Sequence, residues 1–382
     1  MRFLFVVQGE GRGHFTQALV LSEILRKRGD QVVGVLVGRC RGRRLPAFFL
    51  QKIEAPVFTF ESPDFLPSPQ NRQPSLVKSV LANVCKWPVF YRSIKMIRRK
   101  ITELQPDIVI NFYELLTGFT YLLMPPGVPQ VCIGHQYLFL HPDFEFPGYV
   151  SRLQLASLRL FSRLTSIGAV RRLALSFYPE ESDEDKKITV VPPLIRREIK
   201  ECSVSQGNYL LGYMLNSGYV KEVEYWSRQH QGVPLHFFWD RTGIADTYAL
   251  SADLILHQIN DVAFIRYMGG CRAYLTTAGF ESVCEAFYLG KPVLMVPVHV
   301  EQECNAWDAQ KVGVGVRADH FDPDCLLDFI PNYQPAIAFR QWADQAEFKI
   351  YTELKAIYQP SPVYRIYNRL YHMCFWSFGS LG

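Results

Sequence analysis

The chain has 382 residues, 48% of them hydrophobic and 20% charged, with a net charge of +5. That length suits two domains, each with a core of its own, and that composition excludes a disordered chain. The mild positive charge does not mark a nucleic-acid reader: the clusters Arg39, Arg41, Arg43, Arg44 and Lys95, Arg98, Arg99, Lys100 lack the aromatic interleaving such a reader needs, so both read as solvated faces.

The continuously apolar run Phe3 to Val7 predicts a parallel strand buried on both faces. It is too short for a signal-peptide core and meets Gln8, Gly9 and Glu10 at once. A glycine-rich turn follows. From Phe15 the spacing is helical, with Phe15, Ala18, Leu19 and Leu25 toward one side, Arg26, Lys27 and Arg28 in the last turn and Gly29 as the stop. Gln31 to Val37 is the next strand, so the chain opens with a βαβ unit. The segment Val89 to Ile101 mixes apolar residues with Arg92, Lys95, Arg98, Arg99 and Lys100. It has two readings: a basic amphipathic helix resting on an anionic membrane, or a solvated helix packed on the first domain.

Strands are expected at Ile108 to Asn111 and Gln130 to Ile133. Asn111, Glu114, Pro125, Pro126 and Pro129 break this stretch too often for a spanning helix. Glu180 to Asp185 is a surface loop and Ile188 to Val191 a strand, with the domain boundary between Pro192 and Asn208. The second half repeats the opening: a strand at Tyr209 to Met214 runs into the turn Asn216, Ser217, Gly218. Further strands fall at Leu235 to Trp239, Arg272 to Thr276 and Val293 to Val296, with helices at Phe280 to Leu289 and Gln302 to Lys311. Helices at Ala336 to Tyr358 and Val363 to Phe375 close the chain, and their aromatic residues suit packing back on the first domain. The expected architecture is α/β: Rossmann-like domains at residues 1–195 and 206–332, parallel sheets facing a cleft, and a helical tail at 333–382. The nine cysteines are scattered with no CxxC pair, which argues against a disulfide framework or zinc site and predicts a reducing, cytoplasmic setting.

Two loops carry chemistry. In Gly9 to Ala18, Gly9, Gly11 and Gly13 let the backbone approach a ligand, but His14 stands where a dinucleotide fingerprint needs its third glycine. At a helix N-terminus His14 should stay neutral and able to take a proton; a cap or a phosphate contact is the alternative. In Thr276 to Ala306, Thr277, Gly279 and Ser282 sit where a strand meets a helix, so hydroxyls and free N–H groups converge on space for a diphosphate. Glu285, on the same helical face as Glu281, can accept ribose hydroxyls, and Glu301 with Gln302, in a loop after the next strand, can bond a sugar. Glu114 and the pair His135, Gln136 follow strands of the first sheet and are candidates to face the same cleft; for His135 a structural hydrogen bond and an acceptor contact stand level, and Glu114 is also a candidate to orient His14.

The order G-x-x-S-x-x-E, GKPVLMVP, EQ-x-x-NA resembles the donor signature of the GT-B glycosyltransferases, the superfamily of UDP-glucuronosyltransferases, plant glucosyltransferases and the bacterial GlcNAc transferase that completes lipid II. The resemblance implies that His14 deprotonates the acceptor hydroxyl. Ser217 and Gly218, with Asn216 beside them, would help hold the diphosphate; Ser282 would touch phosphate, Glu285 ribose, and Glu301 and Gln302 the donor sugar. Gly13, Thr277 and Gly279 would complete the donor site. Thr277 replaces a histidine of that pattern and Gln17 a proline, which leaves the diphosphate to neutral hydrogen bonds and helix dipoles or to Arg241 as a substitute cation. The implied activity is inverting, metal-independent transfer from a nucleotide sugar, a UDP-sugar by the resemblance, to a hydroxyl acceptor, with lipid-linked and cell-envelope glycans among the acceptor classes. The nucleotide sugar is a co-substrate, and no cofactor or metal is called for. The alternatives are a sugar-nucleotide epimerase on the same scaffold and a non-catalytic nucleotide-sugar-binding protein.

Overall fold

The computed structural model describes residues 1–39, 45–63, 86–214, 219–239 and 246–358. The expected turn Asn216 to Gly218, Arg241, the cations Arg41, Arg43 and Arg44, and the helix Val363 to Phe375 lie outside them. The first sheet contains β1 (Arg2–Gln8), β2 (Gln31–Arg39), β3 (Val57–Glu61), β4 (Ile108–Phe112), β5 (Gln130–Gly134), β6 (Ala169–Leu175) and β7 (Ile188–Val191), in the order β3-β2-β1-β4-β5-β6-β7. All its neighbours pair in parallel. The strands read as unbroken apolar runs are its centre: Phe3 to Val7 are fully buried, as are Ile108 to Ile110, because helices cover both faces.

Those helices are α1 (Gly13–Lys27), α2 (Ala47–Lys52), α3 (Trp87–Leu104), α4 (Leu115–Leu123) and α5 (Arg152–Thr165). Phe15, Ala18, Leu21 and Leu25 of α1 are fully buried, and Gly29, at φ +77°, takes the left-handed turn that ends the helix. In α3 the apolar stripe Phe90, Ile94, Ile97, Ile101 is already in the core with Leu4, Val6, Leu36 and Val109. Its apolar face is therefore spent on the first sheet, and Arg92, Lys95 and Arg99 point outward. Among the described residues no helix is long and apolar enough to cross a membrane.

After the short α6 (Arg197–Lys200) the second sheet contains β8 (Leu210–Met214), β9 (Leu235–Trp239), β10 (Thr247–Ala249), β11 (Leu254–Gln258), β12 (Ala273–Thr276), β13 (Val293–Met295) and β14 (Gly315–Arg317). Their order is β10-β11-β9-β8-β12-β13-β14, with only β10 antiparallel to its neighbour. The covering helices are α7 (Val220–Gln229), α8 (Asp261–Gly270), α9 (Phe280–Tyr288), α10 (Val300–Gln310) and α11 (Pro323–Phe329). In each sheet the chain reverses its direction of winding beside the first strand, between β1 and β4 and again between β8 and β12. Such switch points open a crevice at the carboxyl ends of the strands. Both chemically suggestive loops lie there, Gly9 to His14 after β1 and Thr277 to Gly279 after β12.

The structure makes two corrections. Ala336 to Tyr358 is not one helix but two, α12 (Ile337–Ala343) and α13 (Ala346–Tyr358). The break falls at Asp344, whose carboxylate accepts from Tyr288 Oη (2.9 Å) and Lys200 Nζ (3.2 Å). It lets α12 pack on α9 through Phe339 and Phe287 while α13 turns to α1 and β7. Glu301 and Gln302 are in the first turn of α10 rather than in a loop. Gln302 Oε1 accepts from the Val298 N–H at 3.0 Å, fastening the entry to the helix and starting it earlier than its apolar pattern suggests.

Candidate functional site

On the second sheet, the chain leaves β12 through Thr277 and Ala278, and Ala278 adopts φ +61°, a left-handed conformation that strains any residue with a Cβ. Asn305 of α10 donates from Nδ2 to the Ala278 carbonyl at 3.1 Å, which fixes that turn. The glycine–serine and asparagine–alanine parts of the motif are thus one mechanical unit. Gly279 is the N-cap of α9, where a Cβ would meet Ser282 Oγ at an ordinary 3.8 Å. Ser282 Oγ donates to the Gly279 carbonyl at 3.2 Å. The first-turn N–H groups of α9 are therefore presented beside Thr277, Gly279 and Ser282, an arrangement suited to an anion.

Glu285, one turn on, is buried, and both its oxygens are taken by Arg196: Oε1 accepts from Nε at 2.5 Å and Oε2 from Nη2 at 2.7 Å. Arg196 also bonds Asp261 at the start of α8, which accepts from Lys52 of α2 at 3.0 Å. Lys52 reaches Glu198 too, at 2.6 Å. Burial alone would discharge Arg196 and Asp261, but pairing wins: Arg196 is raised by Glu285 and Asp261, and Asp261 is lowered by Arg196 and Lys52. Glu285, the residue the resemblance places at the ribose, is thus one half of a bidentate ion pair.

On the first sheet, Gly9 makes a close approach of its own, its N–H donating to Gly38 O at 2.7 Å. A Cβ there would stand 2.2 Å from that oxygen, so this glycine serves the turn. His14 lies in the first turn of α1, only 8% exposed. Its ring stacks on Tyr113 with centroids 5.8 Å apart, and Nδ1 is 3.4 Å from Gln17 Oε1. Burial holds it below the ordinary histidine range, with the Glu301 charge and Gln17 pulling the other way. Neutrality at pH 7 follows.

Glu114 does not orient His14. One oxygen accepts from Ser62 Oγ at 2.6 Å and from the Leu116 N–H at 3.1 Å, capping α4, while the other lies against Gly38 with no hydrogen-bond partner among the described residues. Burial pushes this carboxyl up to about 7. Nor does His135 line open space: Nδ1 donates to the Leu175 carbonyl at 2.7 Å, and the ring stacks on Phe280 at 4.1 Å between Phe139 and Phe177. Burial lowers it to about 4. A post-strand position suggested a cleft wall, but aromatic packing claimed the ring.

Three of the anticipated residues do meet across the cleft. Gln136 Nε2 donates to Glu301 Oε1 at 2.8 Å, tying the turn after β5 to α10. Glu301 in turn places its charge within reach of His14 and Tyr113. Gln17 Nε2 donates to Glu281 Oε1, and a Cβ on Gly13 would stand 2.2 Å from the Glu281 carboxylate. Burial pushes Glu281 up to about 7. Sequence reasoning missed Gln17, Glu281, Arg196, Lys52 and Asp261 as site residues. Only Gln17 had a signal, as a departure from the expected pattern. Among the described residues no group of three or more His, Cys, Asp or Glu side chains is placed to hold a metal ion.

Comparison with known proteins bears on this arrangement. The sequence profile described as glycosyl transferase family 1 matches residues 1–333. A UDP-N-acetylglucosamine–N-acetylmuramyl-(pentapeptide) pyrophosphoryl-undecaprenol N-acetylglucosamine transferase of Halothermothrix orenii is 26% identical over 218 residues, 56% of this chain and 49% of that protein. The match thus spans about half the length of that relative. Among solved structures, the glycotransferase of kitacinnamycin superposes with a TM-score of 0.64 at 16% identity, covering 93% of this chain and 98% of its own. Phytolacca americana UGT2, solved with UDP-2-fluoroglucose and pterostilbene, gives 0.61 at 14% identity, with 93% and 98% covered. At such identities the two structures speak to the fold.

Proposed function

The chain belongs to glycosyl transferase family 1 and has the GT-B fold, and from that premise we propose that it transfers a sugar from a UDP-sugar to a hydroxyl acceptor, inverting the anomeric carbon. The observation that carries the reading is convergence: His14 of the first sheet and the Gly279 to Ser282 helix start, Glu301 and Gln302 of the second face one cleft, bridged by Gln17–Glu281 and Gln136–Glu301. The named relatives, a UDP-N-acetylglucosamine-dependent transferase and an enzyme solved with a UDP-sugar analogue, support uridine as the base.

In this reading the acceptor hydroxyl gives its proton to His14 as its oxygen attacks the anomeric carbon, and the bond to the diphosphate breaks on the opposite side. Charge developing on the leaving diphosphate falls on the N–H groups at the start of α9 and on Thr277 and Ser282, which supports a metal-independent displacement. Gln302 spends its carbonyl on Val298, so it meets the sugar through its amide N–H groups, beside Glu301. Glu285 keeps the ribose role with Arg196 as counter-ion, since a carboxylate has about four acceptor positions and Arg196 fills two. The acceptor side is the wall between His14 and Gln136.

The test is a thermal-shift panel of nucleoside diphosphates and nucleotide sugars on the full chain. UDP and at least one UDP-sugar should raise the midpoint in a concentration-dependent way, because a ligand that binds only the folded state stabilises it. Absence of any shift across the panel removes the donor site. A shifting donor then goes into a turnover assay, where an epimer formed without acceptor marks an isomerase instead.

A further inference from the structure

The base of the reaction just proposed sits in an unusual setting. The first-sheet carboxylate at the right place in the chain, Glu114, is occupied by Ser62 and the α4 cap. What His14 has instead is an amide, and that amide is held from the other side of the cleft. Gln17 bonds Glu281 through Nε2 and faces His14 Nδ1 with Oε1 at 3.4 Å. Gln17 stands where the resembled pattern has proline, and α9 passes so close to α1 that a Cβ on Gly13 would meet the Glu281 carboxylate at 2.2 Å.

We propose that Gln17 and Glu281 are positioning residues for the base, a histidine–amide–carboxylate relay that crosses the cleft and fixes His14 as the Nδ1–H tautomer, leaving the Nε2 lone pair for the acceptor proton. The logic is that of donors and acceptors. An ionised carboxylate only accepts, so the Gln17 NH2 must point at Glu281. That turns the Gln17 carbonyl oxygen toward His14, and an oxygen can face Nδ1 at bonding distance only if Nδ1 carries the hydrogen. Nε2 is then unprotonated in the neutral ring. When the acceptor oxygen forms its bond to the anomeric carbon, its proton moves to Nε2. The resulting imidazolium keeps Nδ1–H on Gln17, and the Glu281 charge is transmitted through the polarised amide. Because α1 and α9 belong to different sheets, the relay exists only while the two sheets face each other as closely as they do here.

The relay also predicts how acid switches the base off. Burial pushes Glu281 up to about 7, and the neighbouring charges of Glu301 and Glu285 act in the same direction. Its own backbone N–H, and then Gln17 from α1, favour the ionised form. His14 faces Tyr113 and, across the cleft, Glu301. Below about 7 the protonated Glu281 can donate. Gln17 is then free to turn over and offer NH2 to Nδ1, which must accept, so the proton shifts to Nε2. The base is lost to the wrong tautomer before the ring is protonated, since burial holds His14 below its ordinary range.

The inference rests on the transferase reading for its purpose but not for its test. Full-length chain with 15N-labelled histidine, His14 assigned with His14→Gln, reports the tautomer directly from the chemical shifts of the two ring nitrogens. At pH 8 the wild type should show Nδ1–H at His14. Gln17→Met removes the acceptor and Glu281→Gln removes the lock on the amide, and each should move His14 toward Nε2–H or a mixture. A wild-type ring already in the Nε2–H form, or two variants that leave the tautomer unchanged, overturns the relay. Either variant suffices if the other does not fold. UDP-induced stabilisation, measured on the same samples, separates the outcomes: a shift with an unaltered tautomer sinks the relay alone, and no shift with a responsive tautomer sinks the donor reading alone. Once a donor is in hand, Glu281→Gln should lower kcat on the order of tenfold with KM little changed. It should also displace the acid limb of the pH profile, an effect that a merely structural contact would not produce.

Discussion

Two carboxylates one turn apart on α9 live under opposite electrostatics. Glu285 looks toward Arg196, Asp261, Lys52 and Glu198, a cluster buried at Glu285 and Arg196 and reaching the surface at Lys52 and Glu198, in which every carboxylate has a cation. Glu281 looks toward Gln17 and, through it, His14, where the polar partners are amides. Different partners have different consequences. Glu285 is held in an ion pair with a guanidinium; Glu281, among amides, is pushed by burial up to about 7, where a proton can come and go near neutral pH. The first arrangement suits a part that must hold its shape, and the second suits a part that must move a proton.

The comparison breaks most decisively at Arg196. Arg196→Ala leaves Glu285 and Asp261 buried with only Lys52 between them, and removing one partner of a buried ion pair costs about 3–5 kcal/mol. Urea denaturation at pH 8 should show that loss, and Glu285→Gln added to Arg196→Ala should recover part of it, because the stranded charge is gone. A loss below about 1 kcal/mol would mean that water or a rearranged Lys52 satisfies the cluster. The fixed-charge half of the comparison would then be wrong.

The mobile-proton half is tested at His14. His14→Ala should cut turnover with the donor found by thermal shift roughly a hundredfold or more, the range for loss of a general base. The UDP-induced shift should persist, because the helix start at Gly279 to Ser282 is untouched. Turnover unchanged by the substitution would remove His14 from the reaction.

How much of this was legible beforehand differs between fold and site. Strands such as Phe3 to Val7 and Ile108 to Asn111 announce themselves because both faces are buried, and an unbroken apolar run leaves few alternatives. Strands with a less covered face are harder: in β6, Arg171 and Arg172 are only half-buried and break the run, and the edge strand β10 is exposed throughout. The donor motif was legible as a pattern, but its partners were not. Arg196 is 89 residues from Glu285 in the chain and Gln17 is 264 from Glu281, and no local rule of spacing reaches that far. Position after a strand leaves a side chain's direction open: Glu114 finds the α4 cap as its partner, and His135 takes the structural one of its two readings, on the Leu175 carbonyl and Phe280.

The smallest expected effect sharpens the contrast by moving it away from the cleft. Glu114 is fully buried and, like Glu281, is pushed up to about 7, chiefly by burial, but its partners are a serine and its own helix start. The unfolded carboxyl ionises at its ordinary value of 4.5, so between that pH and about 7 the folded state binds more protons than the unfolded. Stability from this group is full in acid and declines as pH rises through the window. Glu114→Gln keeps an oxygen for Ser62 and the Leu116 N–H and abolishes the titration. At pH 8 the variant should be more stable than the wild type by about 1–2 kcal/mol, and near pH 4 the two should converge. Turnover should follow wild type, since Glu114 bonds Ser62 and α4 rather than His14. Denaturation curves that stay parallel from pH 4 to 8 would show that Glu114 is ionised throughout. Burial with polar but uncharged partners would then not suffice to mobilise a proton near neutral pH, and the contrast between Glu281 and Glu285 would need another cause.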